Sequence, residues 1–422
     1  MGFSQALSGL NAAASSLDVQ GNNIANSQTV GFKSSGVQFA DVYANSRVGL
    51  GTRVSAVLQN FNEGNIESTN RNLDLAISGT GFYRFEQGGE VVYSRNGQLS
   101  LTTDGFLQNA QGANLMGYGL NAQGQVQVGG QPQVLQVNAE DMPAGATTNV
   151  ATTVNLDARA IVDGEGRSTV DLRVGAEADA ATVPVNYHFS NNFTVYDSLG
   201  NPRNVTVYYE KTDPNEWTVK MAMDGQALGG ATPAEYTLAF NTNGQLELGG
   251  GSVNDQGVIE DVTFPAGAFL NGEAEDLEFN FNLAGSTQFG NTSTTNSLTQ
   301  NGFTSGTLVG ITIEDDGTIM RNYSNEQSRP SGQIALANFR NPEGLNPVGD
   351  NVWAATQASG QELVGAPGTG QLGLIVSGAI ETSNVDMARE LVDMIVAQRA
   401  YQANSQTIKT QDELLQTAIN LR

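Results

Sequence analysis

The spacing Gly368-x-Gly370-x-x-Gly373 is the one with which a strand, a turn and a helix N-terminus bring backbone N–H groups to a pyrophosphate. Its context is wrong, because the apolar, strand-like stretch Leu372 to Val376 follows where a helix is needed. Glu314, Asp315 and Asp316 before Gly317 offer oxygen ligands for calcium. The alternating acids and distal Glu of an EF-hand loop are missing, and a hairpin turn accounts for them. Glu273, Glu275, Asp276 and Glu278 form a loose acidic run that reads as a solvated face with at most weak affinity for divalent ions. His188, in Tyr187-His188-Phe189, is the single histidine, and the chain has no cysteine. Without a second imidazole, a thiol or a G-x-S-x-G elbow it reads as structural. Trp217 and Trp353 could line a sugar site, but they stand in separate segments and read as core anchors. No catalytic, cofactor or metal constellation follows, and the chain reads as a non-enzyme.

The charge balance narrows the partners. Nineteen Lys and Arg against 43 Asp and Glu give a net charge of −24, which repels phosphate backbones and anionic lipid. Neither nucleic acid nor membrane insertion is expected. Met1 to Gln20 lacks a basic n-region, and nowhere do about 18 apolar residues follow one another, so neither a Sec-type signal nor a membrane span is predicted. The charge is uneven: residues 1–70 and 383–422 each carry a net of −1, whereas 146–300 sets six basic against twenty acidic residues, a net of −14. A strongly charged middle suits a solvated surface, and near-neutral ends suit contact.

Those ends read as helices. Phe3, Leu7, Leu10, Ala14, Leu17, Gly21 and Ile24 alternate spacings of four and three, an a/d seam over three heptads. Leu391, Met394, Tyr401, Ile408, Leu415 and Ile419 share a second stripe, interrupted by Gln398, Ser405 and Asp412. Ser383 with Asp386 three residues on resembles a capping box, which lets this helix run to Arg422. Between them the sequence predicts antiparallel β throughout 71–382. Leu73, Leu75 and Ile77 alternate, as do Phe193 and Val195, then Val205, Val207 and Tyr209, and Asn96-Gly97, Asp104-Gly105, Asn243-Gly244 and Asp316-Gly317 read as type I′ hairpin turns. The length calls for two or three domains. The expected fold is mostly β with terminal α-helices that pair as a coiled-coil-like inner domain, with antiparallel β domains stacked outward. Its divisions are a terminal helical domain at 1–26 and 383–422, whose stripes face either other copies or the chain's own β core, a connector at 27–70, a discontinuous β domain at 71–145 and 301–382, and an inserted outer β domain at 146–300.

Gly21-Asn22-Asn23-Ile24-Ala25-Asn26-Ser27, running into Thr29, Gly31, Phe32 and Lys33, resembles the N-terminal signature of the bacterial flagellar rod and hook axial proteins. VDMIVAQRAYQANSQTIKTQDELL, from Val392 onward, is similar to the C-terminal helix of that family. LDLAISGTGFY (73–83) resembles a segment shared by rod and hook members, whereas NYSNEQ (322–327) and GDNVWAATQASG (349–360) resemble the hook members. The likeness covers about 1–145 and 300–422. It implies an extracellular homopolymer of the flagellum, exported unfolded by the type III apparatus without a cleaved signal, in which the terminal helices form an inner tube. It further implies a short curved tube that works as a universal joint, with rod proteins, a hook cap and hook–filament junction proteins as neighbours. The packing residues expected against other subunits are Phe3, Leu7, Leu10, Leu17, Ile24, Leu391, Met394, Tyr401, Ile408, Leu415 and Ile419. The alternatives are a stiff distal-rod subunit and, from another class, a β-rich secreted adhesin or glycan-binding protein.

Overall fold

The computed structural model describes residues 2–43, 49–162, 166–175, 180–270 and 272–420, so Arg47 and the expected helix end at Arg422 lie outside the described residues. Helix α1 spans Gly2–Ala25, a single turn α2 spans Ala266–Phe269, and α3 spans Met387–Asn420. At 1.5 Å per residue the two terminal helices are about 36 and about 51 Å long. None of the described helices is long and apolar enough to cross a membrane.

The start of α3 differs from the expected capping box. Asp386 is the cap: its Oδ1 accepts from the backbone N–H groups of Ala388 at 3.0 Å and Arg389 at 3.1 Å. Ser383 receives only the Val385 N–H, in a turn before the helix. A carboxylate at the positive end of a helix is the stronger acceptor, so the helix begins beside it.

Residues 27–70, expected as a connector, hold a β-hairpin and a short third strand. Strands β1 (Ser35–Val42) and β2 (Gly51–Gln59) pair antiparallel from Ser35↔Gln59 to Val42↔Gly51, with a bulge at Gln38/Phe39. The hairpin lies along α1: Gln5 Nε2 donates to Gly49 O, and Thr52 N donates to Ser8 Oγ. Strand β3 (Ile66–Ser68) pairs with Ala379–Glu381, just ahead of α3.

The chain divides into two compact units: residues 1–139, 309–322 and 328–422, and residues 140–308 with 323–327. In the first, strand β4 (Asp74–Ser78) is flanked by Leu374–Ser377 and Gly97–Gln98, while β5 (Phe82–Gln87) and β6 (Glu90–Ser94) belong to a larger sheet. Leu75, Ile77, Tyr83, Phe85, Leu115, Ile319 and Leu336 are wholly enclosed in its core. Trp353 packs edge-on to Phe61 and Phe82 and donates Nε1–H to Gln59, a core anchor as expected.

In the second unit two sheets share one core. The alternating Phe193, Val195, Val205, Val207 and Tyr209 point into it, around Trp217, whose Nε1–H is held by Gln288. Most pairings are antiparallel. Asn149–Asp157, however, runs parallel to Leu277–Asn282 and to Thr287–Phe289, a long-range pairing that no local turn signals.

The turns follow a different rule from the expected one. Gly105, Gly244 and Gly317 adopt positive φ, but the residues before them do not, so none of these is type I′. Gly97 is no turn residue: it lies in a strand opposite Leu75, where a Cβ would sit 2.1 Å from Leu75 O. Among the described residues, two-residue strand connections with positive φ at both positions are Gly88-Gly89, Asp224-Gly225 and Asp350-Asn351. The recurrent device is five residues long, Asn/Asp-x-x-Gly-x. At Asn109, Asn121, Asp197, Asn241 and Asn254 the side-chain Oδ1 accepts the N–H groups two and four residues on. One acceptor thereby satisfies two turn N–H groups.

Candidate assembly interface

The two terminal helices run antiparallel. A Cβ on Gly9 would meet Asn404 Nδ2 at 2.8 Å, and Asn23 Nδ2 donates to Glu390 Oε1 at 3.1 Å, which sets one register along the whole of α1. Ala13, Ser16 and Gln20 fall on the stripe between Gly9 and Asn23, and Ala397 and Ala400 fall between Glu390 and Asn404. The seam is therefore made of small and polar residues. It lies one residue, or about 100° of helix, away from the large apolar stripe on α1.

That stripe is consequently turned outward. Phe3 and Leu7 are 50% and 44% exposed, while Leu10, Leu17 and Ile24 are half-buried. On α3, Leu391, Tyr401, Leu415 and Ile419 are exposed; Met394 and Ile408 lie half-buried near the seam. The expected packing residues thus fall into an outward group and an inward-leaning group. Val392, Ile395, Val396 and Leu414 are also exposed, off the expected stripe.

The signature residues hold the root of the pair. Asn23 is wholly buried; it donates to Ser35 O and accepts from Ser35 N as well as reaching Glu390. Asn26 closes the helix by donating to Asn22 O and accepting from Thr29 Oγ1. Gly21, Asn22, Ile24 and Ala25 lie exposed or half-exposed, and a Cβ on Gly21 would touch nothing within 4 Å.

Just beyond the helices lies a buried charge cluster that the sequence did not disclose. Glu381 Oε1 accepts from Lys33 Nζ at 2.6 Å and from Gly64 N, and its Oε2 accepts from Arg95 Nε at 2.7 Å. Arg95 also donates to the carbonyls of Ile77, Gly79 and Gly81, and Lys33 to Asn62 O. Lys33 leaves α1, Glu381 leads into α3, and Arg95 belongs to the β body, so one cluster ties all three. Burial pushes the Glu381 carboxyl up, but Arg95 first and then Lys33 and the Gly64 N–H outweigh it and hold the group below its ordinary range. Burial dominates at Lys33 and lowers its ammonium, although Glu381 opposes the shift. Lys33 stood in the sequence only as the end of a motif.

The chemistry candidates resolve into structure. His188 Nδ1 accepts from Lys211 N at 3.1 Å, its Nε2 faces Ile161 O at 3.2 Å, and the ring packs edge-on to Trp217. Gly368 and Gly370 sit at positive φ in a turn that leads into the strand Leu374–Ser377. Thr318 N donates to Asp316 Oδ1 within the 314–317 hairpin turn, and Asp276 Oδ1 accepts from Ala266 N at the start of α2.

Four family models match along the chain: the flagella basal body rod protein model at 4–33, the flagellar hook protein FlgE/F/G D1 domain at 76–154, the flagellar basal body protein FlaE D2 domain at 169–303, and the flagellar basal body rod FlgEFG protein C-terminal model at 376–421. The third falls almost wholly on the stretch outside the likeness read from the sequence. Flagellar hook protein FlgE of Salmonella typhimurium is 46% identical across the full length of both chains, and that of Escherichia coli 45%. The crystal structure of Helicobacter pylori flagellar hook protein FlgE2 superposes with a TM-score of 0.54 over 75% of this chain and all of that one, at 14% identity, which bears on the fold alone. With paired terminal helices, an inserted β unit and end-to-end similarity of this degree, the chain belongs to the flagellar hook protein FlgE family.

Proposed function

We propose that the chain is the structural subunit of a flagellar hook, polymerising with itself into a curved, flexible tube that passes motor torque from rod to filament as a universal joint. The observation that carries this is large apolar side chains left uncovered on the paired helices: Phe3, Leu7 and Leu391 turned away from the seam, and Leu415 and Ile419 on the part of α3 that extends past α1. Large apolar side chains left on that face are stabilised by burial against other copies. In this reading the helix pair lines the tube and 146–300 is an outer domain. Hydrated Asn, Ser, Thr and Gln contacts between outer domains exchange at little cost, whereas close-packed seams resist sliding. Rod proteins, a hook cap, junction proteins and the type III export apparatus are the further partners this role requires, with export in the absence of a cleaved signal. A structural role of this kind needs no catalysis.

Leu415→Asp tests it. The side chain is 60% exposed, so monomer melting should barely move. In a polymer the carboxylate would enter an apolar contact, costing at least about 2 kcal/mol, which raises the critical concentration roughly 30-fold. Electron microscopy of the concentrated protein should show curved tubes for the unchanged chain and none for the variant. Tubes at normal concentration would overturn the role given to this stripe.

A further inference from the structure

We propose that the cleft between α1, α3 and the β1–β2 hairpin seats the free end of α3 from a second copy of the chain. This rests on the self-assembly reading above and adds which two surfaces meet. A polymer that grows without closing needs two different, complementary patches on each subunit, because a self-complementary patch stops at a dimer. The unit that carries both termini has such a pair.

The receiving surface is a cleft of about 450 Å³ floored by Gly9, Ala12, Ala13 and Ala397, with the exposed Phe39 and Val396 at its rim. The entering surface follows from the helix register. With Gly9 against Asn404 and Asn23 against Glu390, residues 412–420 extend past the first residue of α1, an overhang of about 13 Å. It carries Leu414, Leu415 and Ile419, which are 65, 60 and 72% exposed. Branched aliphatic side chains against a floor of Gly and Ala give the large-into-small fit that close packing requires. Lys409, about 9 Å before Leu415 along the helix, can meet Asp393, which lines the cleft half exposed with Arg389 at 4.0 Å; of the two acids on the overhang, Asp412 is held by Gln416 and Glu413 is exposed toward solvent.

The chain contains no cysteine, which makes cross-linking selective. Val396→Cys and Leu415→Cys chains are prepared separately, mixed, polymerised and oxidised. Both positions are exposed, so each variant should melt as the unchanged chain does. The expected product is a cross-linked pair of the two variants, at least tenfold more abundant than in polymers of either variant alone. Polymers without that product, or equal self-cross-linking of each variant, would overturn the proposal and leave the self-assembly reading standing. Failure of the unchanged chain to polymerise at all would overturn both. Val396→Asp is the independent check: it puts a carboxylate on the exposed rim of the cleft, off the helix seam, and a critical concentration raised tenfold or more with unchanged monomer melting is expected, whereas an unchanged critical concentration would sink the assignment.

Discussion

Asn23 ties three elements together with one carboxamide, reaching the strand β1 backbone twice and the α3 carboxylate of Glu390 once. Removing it by Asn23→Ala leaves the half-buried N–H and C=O of Ser35 without their partner, at up to about 1–3 kcal/mol for each group that water does not reach. The expected outcome is a lower melting temperature with hydrogen-exchange protection lost first at residues 20–36; unchanged protection there would show that the helix root is held by something else. Glu381 should matter more. Glu381→Gln leaves Lys33 and Arg95 buried without their counter-charge, a defect of about 3–5 kcal/mol. The pH dependence has a definite sign. A carboxyl held below its unfolded value of about 4.3 contributes stability that is present above that pH and is lost as pH falls through the folded value. Acid unfolding of the unchanged chain should therefore steepen below about pH 4, and in Glu381→Gln that part of the slope should be missing. Lys33 acts the other way: with its ammonium lowered by burial, the folded state releases the proton first as pH rises toward about 10.4, so its charge becomes less costly in alkali. The partners of this cluster are 348 and 286 positions apart, which is why no local pattern revealed it.

At the scale of elements, the terminal helices were legible because a sustained alternation of fours and threes has few other readings, yet the inner face was not. Choosing the largest apolar residues finds the face with most to gain from burial. Two helices that approach closely instead place small residues between them, here Gly9, Ala13 and Ala397, and on α1 the large stripe is offset from that seam, while Met394 and Ile408 of α3 stay half-buried beside it. The turns failed for a similar reason. Asn-Gly and Asp-Gly pairs were read as two-residue hairpins, but in the five-residue loops the decisive residue is the Asn or Asp three positions before the glycine, whose side chain closes the turn. Helix pairing predicts a gradient of stability along α3 rather than uniform order. The root is fixed by Asn23, Asp386 and the Glu381 cluster, whereas the 412–420 overhang has no α1 beside it, and an isolated helix gains little from propensity alone. Hydrogen exchange on the dilute monomer should show protection falling from Met387 toward Asn420. Equal, strong protection at both ends in a proven monomer would mean that the overhang docks on its own chain.

At the scale of the whole molecule, the inserted β unit is built so that its two ends meet. Met142 and Gly306 exchange backbone hydrogen bonds of 2.8 and 3.0 Å, and Gly145 and Phe303 exchange bonds of 3.0 and 2.9 Å. A two-rung stem thus closes the unit on itself, and the large core of Val154, Phe193, Trp217, Ile259 and Phe281 lies entirely within the loop it closes. Excising 146–302 and bridging Gly145 to Phe303 with a short Gly-rich turn removes that core without opening the stem. The shortened chain should fold, since the core around Leu75, Tyr83 and Ile334 draws no residue from the excised stretch. Because the proposed assembly surfaces lie on the terminal helices, it should still be exported and form tubes. The deletion also removes a net charge of −14 over 146–300, together with the outer polar contacts that are proposed to slide. Tube curvature and bending stiffness, measured by electron microscopy, should therefore change while assembly persists. If a stably folded deletion forms no tubes at all, the inserted unit carries an essential subunit contact, and the division of labour between helical seam and outer domain is wrong.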